Sequence, residues 1–196
     1  MLSRPLEYFQ KLSSLIQSVR VTDREGKSLT LDQGMDAALS MILNEGYKIL
    51  LIGNGGSAAI VSHVQNDLCK AAGLRAMVFN EPPFLTALGN DHGYESVFER
   101  PVELWAESND LLIAVSSSGK SESILRAVKT AKGKGCRVLT FSGFHEDNSL
   151  RSMGDVNFYV ASGDYGFVEV SHMALAHFLT DQAMHQKIKN KEVAQS

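Results

Sequence analysis

The feature that most constrains the fold is an apolar run that ends in a glycine-rich turn. Ile49–Ile52 are followed directly by Gly53-Asn54-Gly55-Gly56-Ser57. Four consecutive apolar residues fit a strand that is buried on both faces, and the turn after them fits the start of a helix. The first backbone amides of such a helix are open to an anion. The run therefore predicts a strand–turn–helix unit that binds a phosphate-bearing ligand.

From Lys48 onward, strand and helix patterns alternate, which predicts an α/β fold with a parallel sheet and right-handed crossovers. Five strands are expected, at Ile49–Ile52, Arg75–Phe79, Leu111–Val115, Arg137–Ser142 and Asn157–Val160. The intervening helices are expected at Ser57–Ala72, Pro82–Leu88, Val97–Glu107, Ser121–Gly135 and about Val168–Lys189.

Residues 1–46 are predicted to form a helical arm ahead of an α/β core at residues 47–190. Apolar residues recur at helical spacing after Pro5, and Thr30 is placed to cap a second helix that ends at Gly46. Thr22–Ser28, between them, is expected to be a connector. The two apolar stripes either cover the sheet or form a surface for an identical subunit, and we favour the second. The 196 residues fit a single domain.

Composition narrows the classes of partner. The chain has 19 Lys and Arg against 22 Asp and Glu, a net charge of −3, without a block of like charge, so electrostatic binding of nucleic acid is disfavoured. Cys69 and Cys136 are the only cysteines, which indicates neither a disulfide framework nor a zinc–cysteine site. No apolar run approaches the length of a membrane span, and no signal-peptide pattern is present. We expect a soluble, cytoplasmic protein without nucleic-acid or membrane partners.

The glycine turn has two interpretations when it is taken alone. Gly53-x-Gly55-x-x-Ala58 satisfies the loose form of the dinucleotide fingerprint. That fingerprint also requires an acidic residue near the end of the second strand, whereas Glu81 lies beyond the strand that ends at Phe79. Alternatively, the glycines serve only to pack a strand against a helix. We expect no nucleotide cofactor.

A second loop, Ser116-Ser117-Ser118-Gly119-Lys120-Ser121, follows the third strand. It fails as a P-loop because Ala114 stands where the opening glycine should be. Four serines at a helix N-terminus can donate hydrogen bonds to a phosphate, with Lys120 adding charge if it points inward. An ordinary serine-rich turn is the alternative. Because both loops leave the carboxyl ends of parallel strands, they predict one phosphate ester bound between them.

Three motifs in this order resemble the sugar isomerase (SIS) domain, specifically its phosphoheptose isomerase branch: Gly53–Ser57, Gly89-Asn90-Asp91 and Ser116-x-Ser118-Gly119-x-Ser121. The resemblance runs from about Lys48 to Lys187. It implies a three-layer sandwich around a five-stranded, flavodoxin-like parallel sheet, and a homotetramer with active sites at subunit interfaces. It also implies a phosphosugar aldose–ketose isomerase that converts sedoheptulose 7-phosphate to D-glycero-D-manno-heptose 7-phosphate through an enediol.

His63 and Asp67 stand four residues apart on the helix that follows the glycine turn, and so share one face. This geometry suits a metal pair or an acid–base pair, although a helical histidine is often merely packed or solvated. The resemblance implies a His and a Glu here in a cluster for metal binding and catalysis. Asp67 is one methylene shorter, which shifts the carboxylate by roughly 1 Å, a displacement that can matter greatly to catalysis.

On the last helix, the resemblance places Glu169 and His177 at the site, where the family more usually has Gln and His. His63, Asp67, Glu169 and His177 would then be ligands for zinc or another divalent ion. Alternatively, the two carboxylates differ in pKa and divide acid and base roles. The proton-abstracting base is expected to be Asp67 first and Glu169 second, with His177 as the acid or proton relay.

The remaining assignments concern substrate binding. The phosphate is expected at the serines, with Asn54 and Asp91 on sugar hydroxyls; the full set is Asn54, Gly55, Gly56, Ser57, Asp91, Ser116, Ser117, Ser118, Ser121 and Glu169. His172 and His185 are expected to be surface or interface residues. Asp181 either orients His177 or lies on a solvated helix face.

Two rival functions remain open. One is a non-catalytic SIS protein that binds a phosphosugar or a protein partner as a regulator, and the other is an isomerase of a different sugar phosphate. The presence of His63, Asp67 and His177 favours chemistry, whereas the departures at Asp67 and Glu169 favour the rivals. The sequence does not decide the metal, the base, the anomer produced or the pathway.

Overall fold

A seven-stranded mixed sheet organises the computed structural model, which describes residues 4–44 and 46–195. The strands are β1 (Arg20–Asp23), β2 (Ser28–Leu29), β3 (Ile49–Gly53), β4 (Ala76–Val78), β5 (Leu111–Ser116), β6 (Arg137–Ser142) and β7 (Val156–Tyr159). The helices are α1 (Pro5–Gln17), α2 (Leu31–Ile42), α3 (Gly56–Lys70), α4 (Pro82–His92), α5 (Glu99–Trp105), α6 (Glu122–Gly133) and α7 (Tyr165–Gln195). Short 3-10 turns occupy Tyr94–Ser96 and Ser149–Ser152.

The strand order is β2-β1-β7-β6-β5-β3-β4. Strands β3 to β7 correspond to the five predicted strands, are mutually parallel and follow the flavodoxin-like order. The prediction of a five-stranded, wholly parallel sheet is wrong, because the antiparallel strands β1 and β2 extend it beyond β7.

The predicted connector at Thr22–Ser28 is therefore also wrong, since it overlaps both added strands. Of the four residues in β1 only Val21 is apolar and buried, so the sequence shows no strand pattern there. Pairing of Val21 with Phe158 places that one side chain in the core and covers the open edge of β7.

Helices cover both faces of the sheet. Alternate residues of β3 enter two different cores: Ile49 and Leu51 pack with α2, α3 and α7, whereas Leu50 and Ile52 pack with α5 and α6. Helix α2 thus covers the sheet of its own chain. Helix α1 has no buried residue and leaves Phe9 62% exposed. Within the described ranges, none of the helices has both the length and the apolar character required to span a bilayer.

Candidate functional site

The two predicted loops meet at the point where the strand order reverses. Strand β3 has β4 on one side and β5 on the other, and the loops that follow β3 and β5 enclose a cavity of about 290 Å³. Crevices at such a reversal are the usual ligand sites of open α/β sheets. The cavity is lined by Asn54, Gly55, Gly56, Ser57, Ser116, Ser117, Ser118, Ser121, Tyr165 and Glu169.

Three helices begin at this cavity: α3 at Gly56, α6 after its N-cap Ser121, and α7 at Tyr165. Each directs unpaired backbone N–H groups and the positive end of its dipole toward the cavity. Such a convergence favours the binding of an anion, and we refer to this space as the anion cavity.

The glycines of the turn allow this convergence. Gly55 has φ of +53°, in the left-handed region that favours glycine. A Cβ on Gly56 would collide with the carboxylate of Glu169, and a Cβ on Gly53 would lie 2.7 Å from the backbone of Ser57. A larger residue at Gly53 would push β3 away from the start of α3, whereas one at Gly56 would displace the carboxylate of Glu169 from its place beside the cavity.

The serine side chains supply hydroxyl groups to the cavity. Ser57, Ser116 and Ser117 are buried. The Ser117 hydroxyl has no hydrogen-bond partner within the described part of the chain. A buried hydroxyl without a partner is costly, so a ligand that accepts a hydrogen bond from Ser117 would remove that cost.

Asn54 joins the glycine turn to the serine loop. Its Nδ2 donates to the hydroxyls of Ser121 at 2.8 Å and Ser123 at 2.9 Å, and its Oδ1 accepts from the hydroxyl of Tyr94 at 2.8 Å. The side chain that was predicted to bind a sugar hydroxyl thus has protein partners at both polar atoms.

A second cluster lies at the interface of α3 and α7. The Nε2 atom of His63 is 3.3 Å, and the Nδ1 atom of His177 3.6 Å, from Asp67 Oδ2. One ligand atom from each of the three residues lies within 4.8 Å of the others, as a bound metal ion requires. Donors about 2.1 Å from zinc in a tetrahedral arrangement are separated by about 3.4 Å, so this cluster fits such an ion.

Glu169 is not part of that cluster. The four predicted metal ligands divide into the triad His63, Asp67 and His177 and a separate Glu169, which lies against Gly56 in the anion cavity. Eight residues separate Glu169 from His177, which is about 12 Å along a helix.

Two other predicted contributors also lie elsewhere. Asp91 lies in the last turn of α4, is exposed, and accepts a hydrogen bond from Asn90 Nδ2 at 2.8 Å; it does not line the cavity. Lys120 is exposed, and its Nζ lies 3.9 Å from Asp147 instead of pointing inward.

The prediction that His172 is a surface or interface residue is wrong. Its side chain is fully buried beside Phe141, and its Nε2 lies 3.0 Å from the carbonyl oxygen of Ser142. The five-residue spacing from His177 turns His172 to a different face of α7, and that face packs on the sheet. His185 and Asp181 are exposed.

Sequence reasoning missed Tyr165, Tyr94 and Ser123. Tyr165 precedes the predicted start of the last helix at Val168, so it was not considered for the site. Tyr94 and Ser123 are hydrogen-bonded to Asn54, and spacing along the chain gives no signal for such a contact between distant segments.

Comparison with known proteins identifies the class. The SIS domain family model matches residues 7–143, a range that includes both the glycine turn and the serine loop, so the chain belongs to the SIS domain family. A phosphoheptose isomerase of Burkholderia pseudomallei is 35% identical over 162 residues, covering 80% of this chain and 81% of the relative. The chain therefore belongs to the phosphoheptose isomerase branch of the SIS domain family.

Solved structures agree with this assignment. A phosphoheptose isomerase from Francisella tularensis superposes with a TM-score of 0.77 at 25% identity, over 92% of this chain and 96% of the other. That of Neisseria gonorrhoeae gives a TM-score of 0.75 at 25% identity, over 91% and 95%. The likeness extends along almost the whole chain.

The burial of His172 predicts acid sensitivity. Burial lowers the pKa of His172 from 6.5 to about 4, against a smaller opposite effect of the Ser142 carbonyl. Between pH 6.5 and pH 4, His172 therefore binds a proton in the unfolded chain but stays neutral in the folded chain. Burial of the neutral imidazole thus leaves the free energy of unfolding undiminished above pH 6.5, and the free energy of unfolding decreases as the pH falls toward 4. We expect His172→Gln to lose less stability between pH 7 and pH 5 than the unaltered protein, measured by urea unfolding at both pH values.

The matched control is His185→Gln, at an exposed histidine of the same helix. It should retain the pH dependence of the unaltered protein. Equal pH dependence for His172→Gln and the unaltered chain would contradict the assignment.

Proposed function

We propose that this protein is a phosphosugar aldose–ketose isomerase that converts sedoheptulose 7-phosphate to D-glycero-D-manno-heptose 7-phosphate through an enediol. The observation that carries the proposal is the pairing of an anion cavity with a separate acid–base cluster on the same two helices, α3 and α7. Membership of the phosphoheptose isomerase branch supplies the substrate.

The phosphate would bind where the three helices begin. Backbone amides of Gly56 and Ser57 and the hydroxyls of the serine loop would donate hydrogen bonds to its oxygens. The buried Ser117 hydroxyl, which lacks a protein partner, supports this assignment. Binding at this remote group orients the reacting carbons and contributes to the rate.

The acid–base work falls to Asp67 and His177. The Asp67 side chain is 24% exposed and lies within 3.6 Å of His177, so a carboxylate and an imidazole face the same space. Glu169 lies among the phosphate-binding groups instead, two helical turns away, which favours Asp67 as the base.

In the ketose-to-aldose direction, Asp67 takes a proton from C1, and the electrons of that C–H bond form the C1–C2 double bond of the enediol while the C2 carbonyl oxygen gains a proton. Carbon C2 is then reprotonated as the O1 proton leaves and C1 becomes the carbonyl carbon. His177 would carry protons between the two oxygens. Atoms and electrons balance without an external oxidant or reductant.

The distance between cavity and cluster suits a long substrate. Ser57 and His63 are six residues apart, about 9 Å along α3. A seven-carbon sugar, whose phosphate and reacting carbons are at opposite ends, spans this separation more readily than a three- or four-carbon sugar. This supports a heptose over a shorter sugar phosphate.

We also propose that His63, Asp67 and His177 hold a divalent ion, for which zinc suits the nitrogen and oxygen donors. Three protein ligands leave one position open, as in catalytic zinc sites. Such an ion would polarise the oxygens of the substrate. Glu169 lies about 12 Å along α7 from His177, so we do not include it among these ligands.

The proposed reaction is tested by incubation with sedoheptulose 7-phosphate in heavy water, with deuterium at the carbon next to the carbonyl followed by NMR. The unaltered protein should catalyse exchange. Because both changes convert a carboxylate into an amide of equal size, Asp67→Asn and Glu169→Gln are a matched pair. We expect Asp67→Asn to lose exchange by about 100-fold or more, and Glu169→Gln to retain it.

Three outcomes would change the conclusion. Loss of exchange only in Glu169→Gln would make Glu169 the base. Absence of exchange in the unaltered protein, with and without added zinc, would overturn the heptose isomerase. In that case, binding of the sugar phosphate without exchange would favour a regulator, and exchange with another sugar phosphate would favour an isomerase of different specificity.

The metal site is tested by calorimetric titration of the full chain with zinc chloride. One ion should bind per chain, and His63→Ala should weaken binding by at least about tenfold because one of three ligands is lost. The exposed histidine of α7 provides the control, since His185→Ala should bind zinc as the unaltered protein does. Unchanged affinity in His63→Ala would exclude this triad.

We further propose a homotetramer with active sites at subunit interfaces. Support comes from α1, where Leu6 and Phe9 are exposed on a helix without buried residues. Light scattering at micromolar concentration should give the mass of four chains, and Leu6→Ser with Phe9→Ser should reduce it. A monomeric mass for the unaltered protein would remove this proposal.

Two expectations remain predictions. One is that residues 1–196 form a single SIS domain, with a helical arm at 1–46 and the α/β core at 47–190. The arm contributes β1, which pairs with β7 of the core, and β2, which pairs with β1. Urea unfolding of the full chain would test this prediction, because a single domain unfolds in one cooperative transition. The other is the cytoplasmic location, which cell fractionation would test.

A further inference from the structure

The hydrogen bonds around Asn54 connect three segments that are distant in the chain. Tyr94 lies in the 3-10 turn after α4, Asn54 follows β3, and Ser121 with Ser123 lie at the start of α6. The hydroxyls of Ser121 and Ser123 are also 3.2 Å apart. The two halves of the anion cavity are therefore joined through one amide side chain.

Both polar atoms of Asn54 have protein partners in this arrangement. Its amide nitrogen donates both hydrogens to serine hydroxyls, and its amide oxygen accepts from Tyr94. The second lone pair of the amide oxygen is the one position left for a sugar hydroxyl, which would bind there as a donor. The contacts are thus those of a side chain that fixes the position of the loops.

Tyr94 is the outermost member of this chain of contacts. It is 58% exposed and is not among the residues that line the cavity. Its hydroxyl donates to the Asn54 oxygen at 2.8 Å while the amide nitrogen donates to both serines, so the amide is held from both ends. Ser121, which the amide nitrogen holds, does line the cavity.

We propose that Tyr94 is a positioning residue of the phosphate site and acts through Asn54 on Ser121 and Ser123. This assignment rests on the proposed function, in which the cavity binds the phosphate of the substrate. It adds to the expected role of Asn54 in substrate binding a second role, which is to hold the glycine turn against the serine loop. Tyr94 itself does not touch the phosphate.

The test measures binding of inorganic phosphate to the full chain by calorimetry. Loss of one neutral hydrogen bond predicts that Tyr94→Phe weakens the phosphate affinity about three- to tenfold. Because the changed hydroxyl is on an exposed side chain, the thermal unfolding midpoint should remain within about 2 °C of the unaltered value. The control is Tyr47→Phe, which removes a hydroxyl from an exposed tyrosine just before β3, at the amino ends of the parallel strands and away from the cavity. This variant should bind phosphate as the unaltered protein does.

A double-mutant cycle shows whether Tyr94 acts through Asn54. Asn54→Ala should weaken phosphate binding, and Tyr94→Phe added to it should weaken binding no further, since the contact is already lost. Ser123→Ala should also weaken binding, although Ser123 does not line the cavity. In the isomerase reaction, Tyr94→Phe should raise KM with kcat nearly unchanged.

The inference is overturned if Tyr94→Phe binds phosphate as tightly as the unaltered protein, or if its effect adds in full to that of Asn54→Ala. Absence of phosphate binding by the unaltered protein would overturn it together with the anion cavity. Normal phosphate results without deuterium exchange on sedoheptulose 7-phosphate would instead reject the proposed reaction and leave the role of Tyr94 intact.

Discussion

The reversal of strand order between β3 and β5 is the constraint on which the rest of the structure depends. Because these neighbouring strands send their following helices to opposite faces, α3 packs with Ile49 and Leu51 while α6 packs with Leu50 and Ile52. The two helices therefore separate as they leave the sheet, and a crevice opens between their first turns. The cavity is a consequence of topology, and the side chains of the loops determine what it can bind.

Helix α7 turns that crevice into a two-part site. Gly56 contacts Glu169 near the start of both α3 and α7, and Asp67 contacts His177 further along both helices. The two helices therefore run in the same direction, with their N-termini at the cavity and the histidine cluster beyond it. One helix–helix interface thus fixes the distance between the anion cavity and the cluster. Glycine is needed at 53 because β3 and the start of α3 approach each other closely there, and glycine at 56 leaves room for the carboxylate of Glu169.

Much of this arrangement could be predicted from the sequence, because its main signals are local. The apolar run before Gly53 and the serines after β5 specify strands and helix starts, and parallel strands place those starts at one edge. The pair His63 and Asp67 follows from helical spacing alone. The strand β1 could not be predicted in this way, since a single buried valine gives no periodicity and its pairing with β7 joins residues more than 130 positions apart.

Contacts between distant segments also decide where several of the predicted residues lie. His172 faces Ser142 in the core and Glu169 faces Gly56 because of how α7 is rotated about its axis. The spacing of residues within α7 does not predict that rotation. Asp91 was expected at the site from its motif, but the longer α4 carries it on an exposed last turn. Tyr94 reaches Asn54 from 40 positions away.

The two departures from the family pattern have different physical consequences. Asp67 is shorter than the expected glutamate, yet its Oδ2 is 3.3 Å from His63 and 3.6 Å from His177, so the backbones of α3 and α7 are close enough for the shorter side chain to complete the cluster. Glu169 adds a negative charge to a cavity built for an anion, where repulsion of a phosphate opposes the attraction of three helix N-termini. The first departure therefore concerns the geometry of proton transfer, and the second concerns the charge balance of binding. The carboxylate of Glu169 lies against Gly56, the first residue of α3, where the positive end of that helix dipole stabilises a negative charge.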